Sequence, residues 1–191
     1  MKRALPLVLF ALLSLHAQAQ EKVFRFGPKA GLNVSDLTNL SHADPRIAFH
    51  AGMQFNIRLN KHWRLQPEVY YSAQGGRAKT KSLESTEYYN YLAFPLLAQY
   101  RFSRFYVEAG PQFALLLNGR LREYSPDGST SYTSHHENIA DFLIPVGAGY
   151  QLNDHFGFNL RYNQGITSIR RSSLADKNRN VVLQAGAFMF F

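Results

Sequence analysis

The chain of 191 residues contains no cysteine. That absence excludes disulfides, thiol nucleophiles, cysteine-thiolate metal sites and lipid attachment through an N-terminal cysteine. Long apolar runs are almost as scarce. The greasiest segment is Ala4–Leu15, and nothing approaches the roughly 18 apolar residues of a membrane-spanning helix. Acidic residues are also few, 13 against 21 Lys and Arg, for a formal charge of +8.

What is present begins with a leader. Lys2 and Arg3 precede the apolar run, and Ala17-Gln18-Ala19 supplies the small residues of a cleavage site. Residues 1–19 therefore read as a secretory signal peptide and 20–191 as the mature domain, with a charge of +6 once Lys2 and Arg3 are removed. Basic chains can bind nucleic acid, but an exported one meets anionic lipid headgroups instead.

The mature chain alternates. From Tyr91 to Phe102, Leu92, Phe94, Leu96, Ala98, Tyr100 and Phe102 share one face. After Ser103-Arg104 the pattern resumes with Phe105, Val107, Ala109, Pro111 and Phe113. Period two is the signature of a β-strand, and a two-residue connection between such runs makes an antiparallel hairpin. Each arm matches the roughly nine to eleven tilted residues needed to cross a bilayer as a strand. By the same criterion strands are expected at 24–34, 47–59, 63–74, 141–152, 156–163 and 181–191, giving eight in all. Tight turns fall at 60–62, 103–104 and 153–155, and long loops at about 35–45, 75–87 and 119–138 and around Arg170 to Arg179.

Alternation alone does not say which face is outside, since a soluble sandwich would put the apolar set in its core. Four features favour grease facing outward. Short and long connections alternate, as in outer-membrane barrels. Trp63, Tyr100, Phe102, Phe105, Tyr150, Phe156 and Tyr162 gather beside the short turns, as an interfacial girdle would. The polar face is rich in Gly, Gln, Asn and Arg, which suits a narrow interior, and Phe191 stands at the end of the last strand. The expected fold is an all-β, eight-stranded antiparallel up-and-down transmembrane β-barrel in the outer membrane, with both termini periplasmic. Pro28, Pro67, Pro95, Pro111 and Pro145 fall inside these runs. They predict bulges or shifted boundaries, because proline cannot donate to a ladder.

Several segments (KAGLNVSDL, YLAFPLLAQYRF followed by FYVEAGPQFALLL, VGAGYQL and RYNQGITSI) resemble the PorT-like outer-membrane β-barrel family of the Bacteroidota over nearly the whole mature chain. The resemblance implies an outer-membrane barrel. One namesake contributes to type IX protein secretion, and the family has no catalytic residues to carry over.

Inside such a barrel, Arg25, Arg58, Arg64 and Arg101 are expected near the periplasmic end, with Lys29, Glu68, Glu108 and Arg161 deeper. Turn geometry sets Glu108 opposite Gln99, Tyr106 opposite Arg101 and Arg161 opposite Gly147. These charges are expected to pair and plug the lumen, which in eight strands is just wide enough for side chains to fill. At the outer rim, Arg77, Lys79, Lys81, Arg120, Arg122, Arg170 and Arg171 are candidate contacts for lipopolysaccharide phosphates, with Lys177 and Arg179 close by. Ser134-His135-His136-Glu137 holds nucleophile and base types, but adjacency is not triad geometry, and His135-His136 lacks zinc-ligand spacing. His50 is expected as a satisfied lumen residue. Gly27, Gly31 and Gly110 make no nucleotide fingerprint, since no strand-loop-helix follows them.

The reading is a non-enzymatic barrel without cofactor or catalytic site. Its role is structural or interactive at the envelope, presenting surface loops or serving an envelope or secretion complex. Its partners are outer-membrane lipid, lipopolysaccharide and envelope or secretion proteins. The competing classes are a narrow solute pore with an arginine-lined periplasmic mouth and a lipid-modifying enzyme acting through the outer loops.

Overall fold

The apolar faces point outward. In a computed structural model Phe94, Val107 and Phe158 are 38%, 46% and 55% exposed, whereas Gln99, Glu108 and Arg161 are buried. The structure describes residues 23–37, 43–80, 83–124, 130–133, 139–167 and 180–191. Among them no helix is long and apolar enough to cross a membrane. The expected leader lies outside the described residues, as do Lys81, Arg170, Arg171, Lys177, Arg179 and the Ser134–Glu137 segment.

Among the described residues ten strands form one closed antiparallel sheet: β1 (Phe24–Leu37), β2 (Ala43–Arg58), β3 (Trp63–Thr80), β4 (Leu83–Phe102), β5 (Phe105–Ala109), β6 (Gln112–Tyr124), β7 (Thr130–Thr133), β8 (Ala140–Gln151), β9 (Phe156–Gly165) and β10 (Asn180–Met189). Strands β5 and β6 are successive halves of one stave, since both lie between β4 and β8. The short β7 pairs with the upper end of β6. Eight staves therefore surround the lumen, and the β1–β10 pairing from Lys29↔Phe188 to Leu37↔Asn180 closes the ring. Closure gives each of the eight staves a partner on both sides, a condition for a sheet that crosses lipid.

The expected fold class stands, with corrections to the boundaries. The expected 75–87 loop is largely strand: β3 runs to Thr80 and β4 begins at Leu83, with Gly76↔Glu87 and Lys79↔Glu84 still in register. Likewise the expected 119–138 loop begins with the end of β6 and contains β7. These arms are polar on both faces, so hydropathy carries no alternation there. The fifth stave breaks at Gly110-Pro111. At that height Pro67 pairs with Leu96, Pro95 with Gln112, and Pro145 with Asn163. The Pro111 and Pro145 carbonyls accept from Leu96 and Gly110 at 2.9 and 3.3 Å. Prolines from four neighbouring staves thus share one level, and their missing N–H groups explain why the ladder is interrupted there.

Two tight turns use one device. The Asn60 side-chain oxygen accepts from the His62 and Trp63 amides, and that of Asn153 from His155 and Phe156, all at 2.8–2.9 Å. Such Asx turns replace ladder bonds where the strands must reverse. At the third turn Ser103 adopts φ 61°. Beside the turns Trp63 meets Tyr100 edge-on at 5.2 Å, and Phe105 meets Tyr150 at 4.7 Å. Such pairs add about 0.5–1.5 kcal/mol each to the burial of the rings.

Candidate functional site: a layered lumen with an arginine mouth

The lumen is built in layers. At the level of the short turns, Arg25, Arg58, Arg64 and Arg101 project inward from the four adjacent staves β1–β4. Arg25 donates to the Asp154 main-chain oxygen at 3.0 Å, Arg64 to Asn56 Oδ1 at 2.9 Å, and Arg101 to the Gln151 amide oxygen. Beyond them lies an aromatic layer of Tyr106, Phe188 and Phe190. The Arg25 guanidinium stands 4.8 Å over the Phe190 ring, and that of Arg101 stands 5.5 Å over Tyr106.

Next comes a charged layer. Arg161 makes two bonds of 2.9 Å to the Glu68 carboxylate and a third of 2.8 Å, through Nε, to Glu108. The Lys29 ammonium donates to Glu68 at 2.8 Å. All four side chains are excluded from solvent. They come from β1, β3, β5 and β9, every second stave of the ring, so four charges meet on the axis and sum to zero. Layers drawn from alternate strands are what an eight-stranded barrel geometry produces. The register that delivers them pairs Gln99 with Glu108, Arg101 with Tyr106 and Gly147 with Arg161. A side chain at Gly147 would meet Glu108 Oε1 at 3.1 Å, so glycine there leaves room for the cluster.

A chain of amides links the mouth to this layer. Arg64 holds Asn56; Asn56 donates to Gln66 and Gln99 at 3.0 Å; Gln66 donates to Glu68 at 2.7 Å and Gln99 to Glu108 at 2.9 Å. Above the charges, Tyr70 donates to Gln112 at 2.9 Å, Gln184 donates to Asn33 at 3.1 Å, and Asn33 meets His50 Nδ1 at 2.8 Å. His50 Nε2 is buried without a partner, which corrects the expectation of a fully satisfied side chain. Higher still, Tyr89, Tyr91, Ala93, Ala114 and Leu143 pack with Tyr70 into an apolar plug.

The outer rim also departs from expectation. Arg120 and Arg122, expected in a loop, lie on β6 and are exposed. An extra residue, Leu117, between Asn90↔Asn118 and Tyr91↔Leu116 reverses the side-chain phase. The bulge turns both arginines to the outer face, where they and Tyr88, Asn90 and Asn118 line a cavity of about 280 Å³. Arg77 and Lys79 lie on β3, in register with Thr86 and Glu84. Among the described residues there is no group of three His, Asp or Glu fit to hold a metal.

Sequence reasoning missed the inward aromatics. Phe188 and Phe190 were hidden because they alternate with Ala187, Met189 and Phe191 in one apolar run, and Tyr70 and Tyr91 because tyrosine among polar residues reads as part of a polar face. The amide chain of Asn56, Gln66 and Gln99 gave no signal beyond its place on the inward set.

Solved structures of the same shape are outer-membrane barrels. Ail, the attachment invasion locus protein of Yersinia pestis, crystallised with the heparin analogue sucrose octasulfate, superposes with a TM-score of 0.52 at 12% identity, over 88% of this chain and 99% of that one. Neisserial surface protein A gives 0.51 at 14% identity, over 88% and 97%. No curated protein sequence matches the chain. A family profile described as outer membrane protein beta-barrel domain matches residues 17–171. With grease outward, an eight-stave ring and that match over most of its length, the chain belongs to the outer membrane protein β-barrel domain family and resides in the outer membrane.

Proposed function

We propose that this protein is a non-conducting, non-enzymatic barrel that carries its outer loops as a rigid structural or docking element of the envelope, and that it is kin to the PorT-like barrels. The observation that carries the reading is the Lys29–Glu68–Glu108–Arg161 cross, which fills the axis with side chains bonded to one another. Aromatic layers lie below it and above it. A passing solute would have to break bonds in a medium where an unpaired charge costs several kcal/mol. This weighs against the narrow-pore alternative despite the arginines at the mouth.

The partner class that fits the outer rim is lipopolysaccharide. Arg120 and Arg122 stand on the lipid-facing side of β6 beside Tyr88 and Asn90, where phosphates of the outer leaflet meet guanidinium donors. The role as a secretion or envelope subunit rests on the PorT-like motifs.

Planar-bilayer recording tests the closed lumen. The wild-type protein is expected to be electrically silent, and a Glu68→Ala/Glu108→Ala/Arg161→Ala variant to open small, noisy conductances. Stable unitary currents from the wild type would sink the structural reading in favour of a pore.

A further inference from the structure

The arginine mouth is more than a rim. Two contiguous cavities lie there, of about 430 and 240 Å³. Arg25, Arg64 and Asp154 line both; Arg58 and His155 belong to the larger, Arg101 and Arg104 to the smaller. Among the described side chains, five guanidiniums thus line the mouth with one carboxylate, that of Asp154. Such an excess of like charge on rigid strands is self-repelling and calls for a counter-charge from outside.

Three details favour a specific ligand over diffuse counterions. Arg25, Arg64 and Arg101 are held by neutral oxygens of Asp154, Asn56 and Gln151, so the restraints orient them without neutralising them. Arg25 Nη2 is buried and has no hydrogen-bond partner, a donor whose isolation costs free energy until an acceptor arrives. The arginines are also backed by ring faces, Phe190 behind Arg25 and Tyr106 behind Arg101, which fixes their planes.

We propose that the periplasmic mouth is a binding site for a phosphoryl oxyanion, held by Arg25, Arg58, Arg64 and Arg101. The guanidinium fork matches phosphate oxygens in a planar, bidentate way that a single ammonium does not. The larger cavity has the size of a small-molecule site, roughly 300–1,000 Å³, and is too small for a stretch of folded protein. Phe190 and Phe191 line one side of it, giving an apolar wall beside the cationic one. The same chemistry has two sources at this height: a soluble phosphate or diphosphate of the periplasm, or the headgroup of a phospholipid in the inner leaflet. The site does not depend on whether the lumen conducts.

Calorimetric titration of the protein, purified in maltoside micelles and chloride buffer, tests it. One arm adds inorganic pyrophosphate, and the other adds dihexanoyl phosphatidylglycerol against an uncharged lipid. Saturable binding in the first arm identifies a soluble ligand, and saturation in the second alone identifies the headgroup. In whichever arm binds, Arg25→Gln/Arg64→Gln weakens affinity at least tenfold. Lys61→Gln, which removes a cation from the same end but outside the cavities, leaves it unchanged. Asp154→Asn removes an opposing side-chain charge while keeping the main-chain oxygen that Arg25 needs, and it tightens binding severalfold. Because damage to the fold would not increase affinity, that variant decides the matter even where the double arginine variant folds poorly. The proposal is overturned by an absence of saturable heat in both arms, by a folded double variant that binds like wild type, or by an Asp154→Asn protein that binds no tighter.

Discussion

Arg161 and Glu68 face each other across the full width of the lumen. Arg161 stands on β9 and Glu68 on β3, four staves apart in a ring of eight, and they are joined by two hydrogen bonds of 2.9 Å. Glu108 on β5 and Lys29 on β1 complete the cross at right angles, both fully desolvated. A neutral cross of this kind ties opposite walls together, so it acts on the whole cylinder and not on one hairpin.

Breaking the cross on one arm is therefore expected to be costly. Arg161→Met leaves Glu108 buried without a cation, while Lys29 still pairs with Glu68 at 2.8 Å, and its loss is expected to be about 3–5 kcal/mol, the usual cost of removing one partner from a buried ion pair. Adding Glu108→Gln removes the stranded charge, leaves the neutral Lys29–Glu68 pair in place and is expected to restore most of that loss. Urea unfolding in lipid vesicles measures both. Equal stability of the single and double variants would show that charge pairing is not what the cross contributes.

Half of this cross was legible in the sequence. Counting from the tight turns places Gln99 opposite Glu108 and Arg161 opposite Gly147, because an antiparallel register follows from its turn. That Glu68 reaches Arg161 was not legible. Contact across the barrel depends on strand tilt and stagger, which no local pattern encodes.

At the closing seam, Gly27 is packed against backbone. A methyl group there would fall 1.8 Å from the Met189 carbonyl oxygen, beside the bond from the Phe191 amide to the Phe26 oxygen at 2.9 Å. Backbone cannot rotate away as a side chain can, so Gly27→Ala must pry β1 from β10, with an expected loss of at least about 2 kcal/mol. Gly119→Ala is the contrast, since its nearest neighbour is the Tyr89 ring at 3.3 Å, and it is expected to change stability by less than about 1 kcal/mol. The faster migration of folded barrels on unheated gels scores the two side by side.

The paired Asx turns give a smaller, additive effect. Asn60→Ala and Asn153→Ala each release two amides that exposed positions let water recover, so each is expected to cost about 1 kcal/mol. The turns share no partners, and the double variant is expected to lose the sum within about 0.5 kcal/mol. Strong coupling in denaturant titrations would mean that the two turns touch through some intermediary at the mouth.

The outward faces were the most legible part of the chain, because lipid demands grease at every second residue and nothing else in the sequence repeats that way. Legibility ended where that demand ended. Above the hydrocarbon, Gly76 to Thr80 pair with Leu83 to Glu87 with no apolar side to betray them. At Leu117 one inserted residue swapped the two faces of β6, and with it the direction of Arg120 and Arg122.

Trp63 offers a direct test of which face meets lipid. It is the only tryptophan in the chain, is 45% exposed beside the Asn60 turn and packs on Tyr100 from outside the barrel. Its neighbour Arg64 points the other way, into the mouth. In vesicles, bromines placed high on the acyl chains are expected to quench Trp63 strongly, and bromines near the bilayer centre only weakly, since interfacial rings sit at headgroup level. Aqueous iodide is expected to quench it less than it quenches a free indole. Full quenching by iodide with no effect of bromine would place the greasy face in water and invert the whole arrangement of sides.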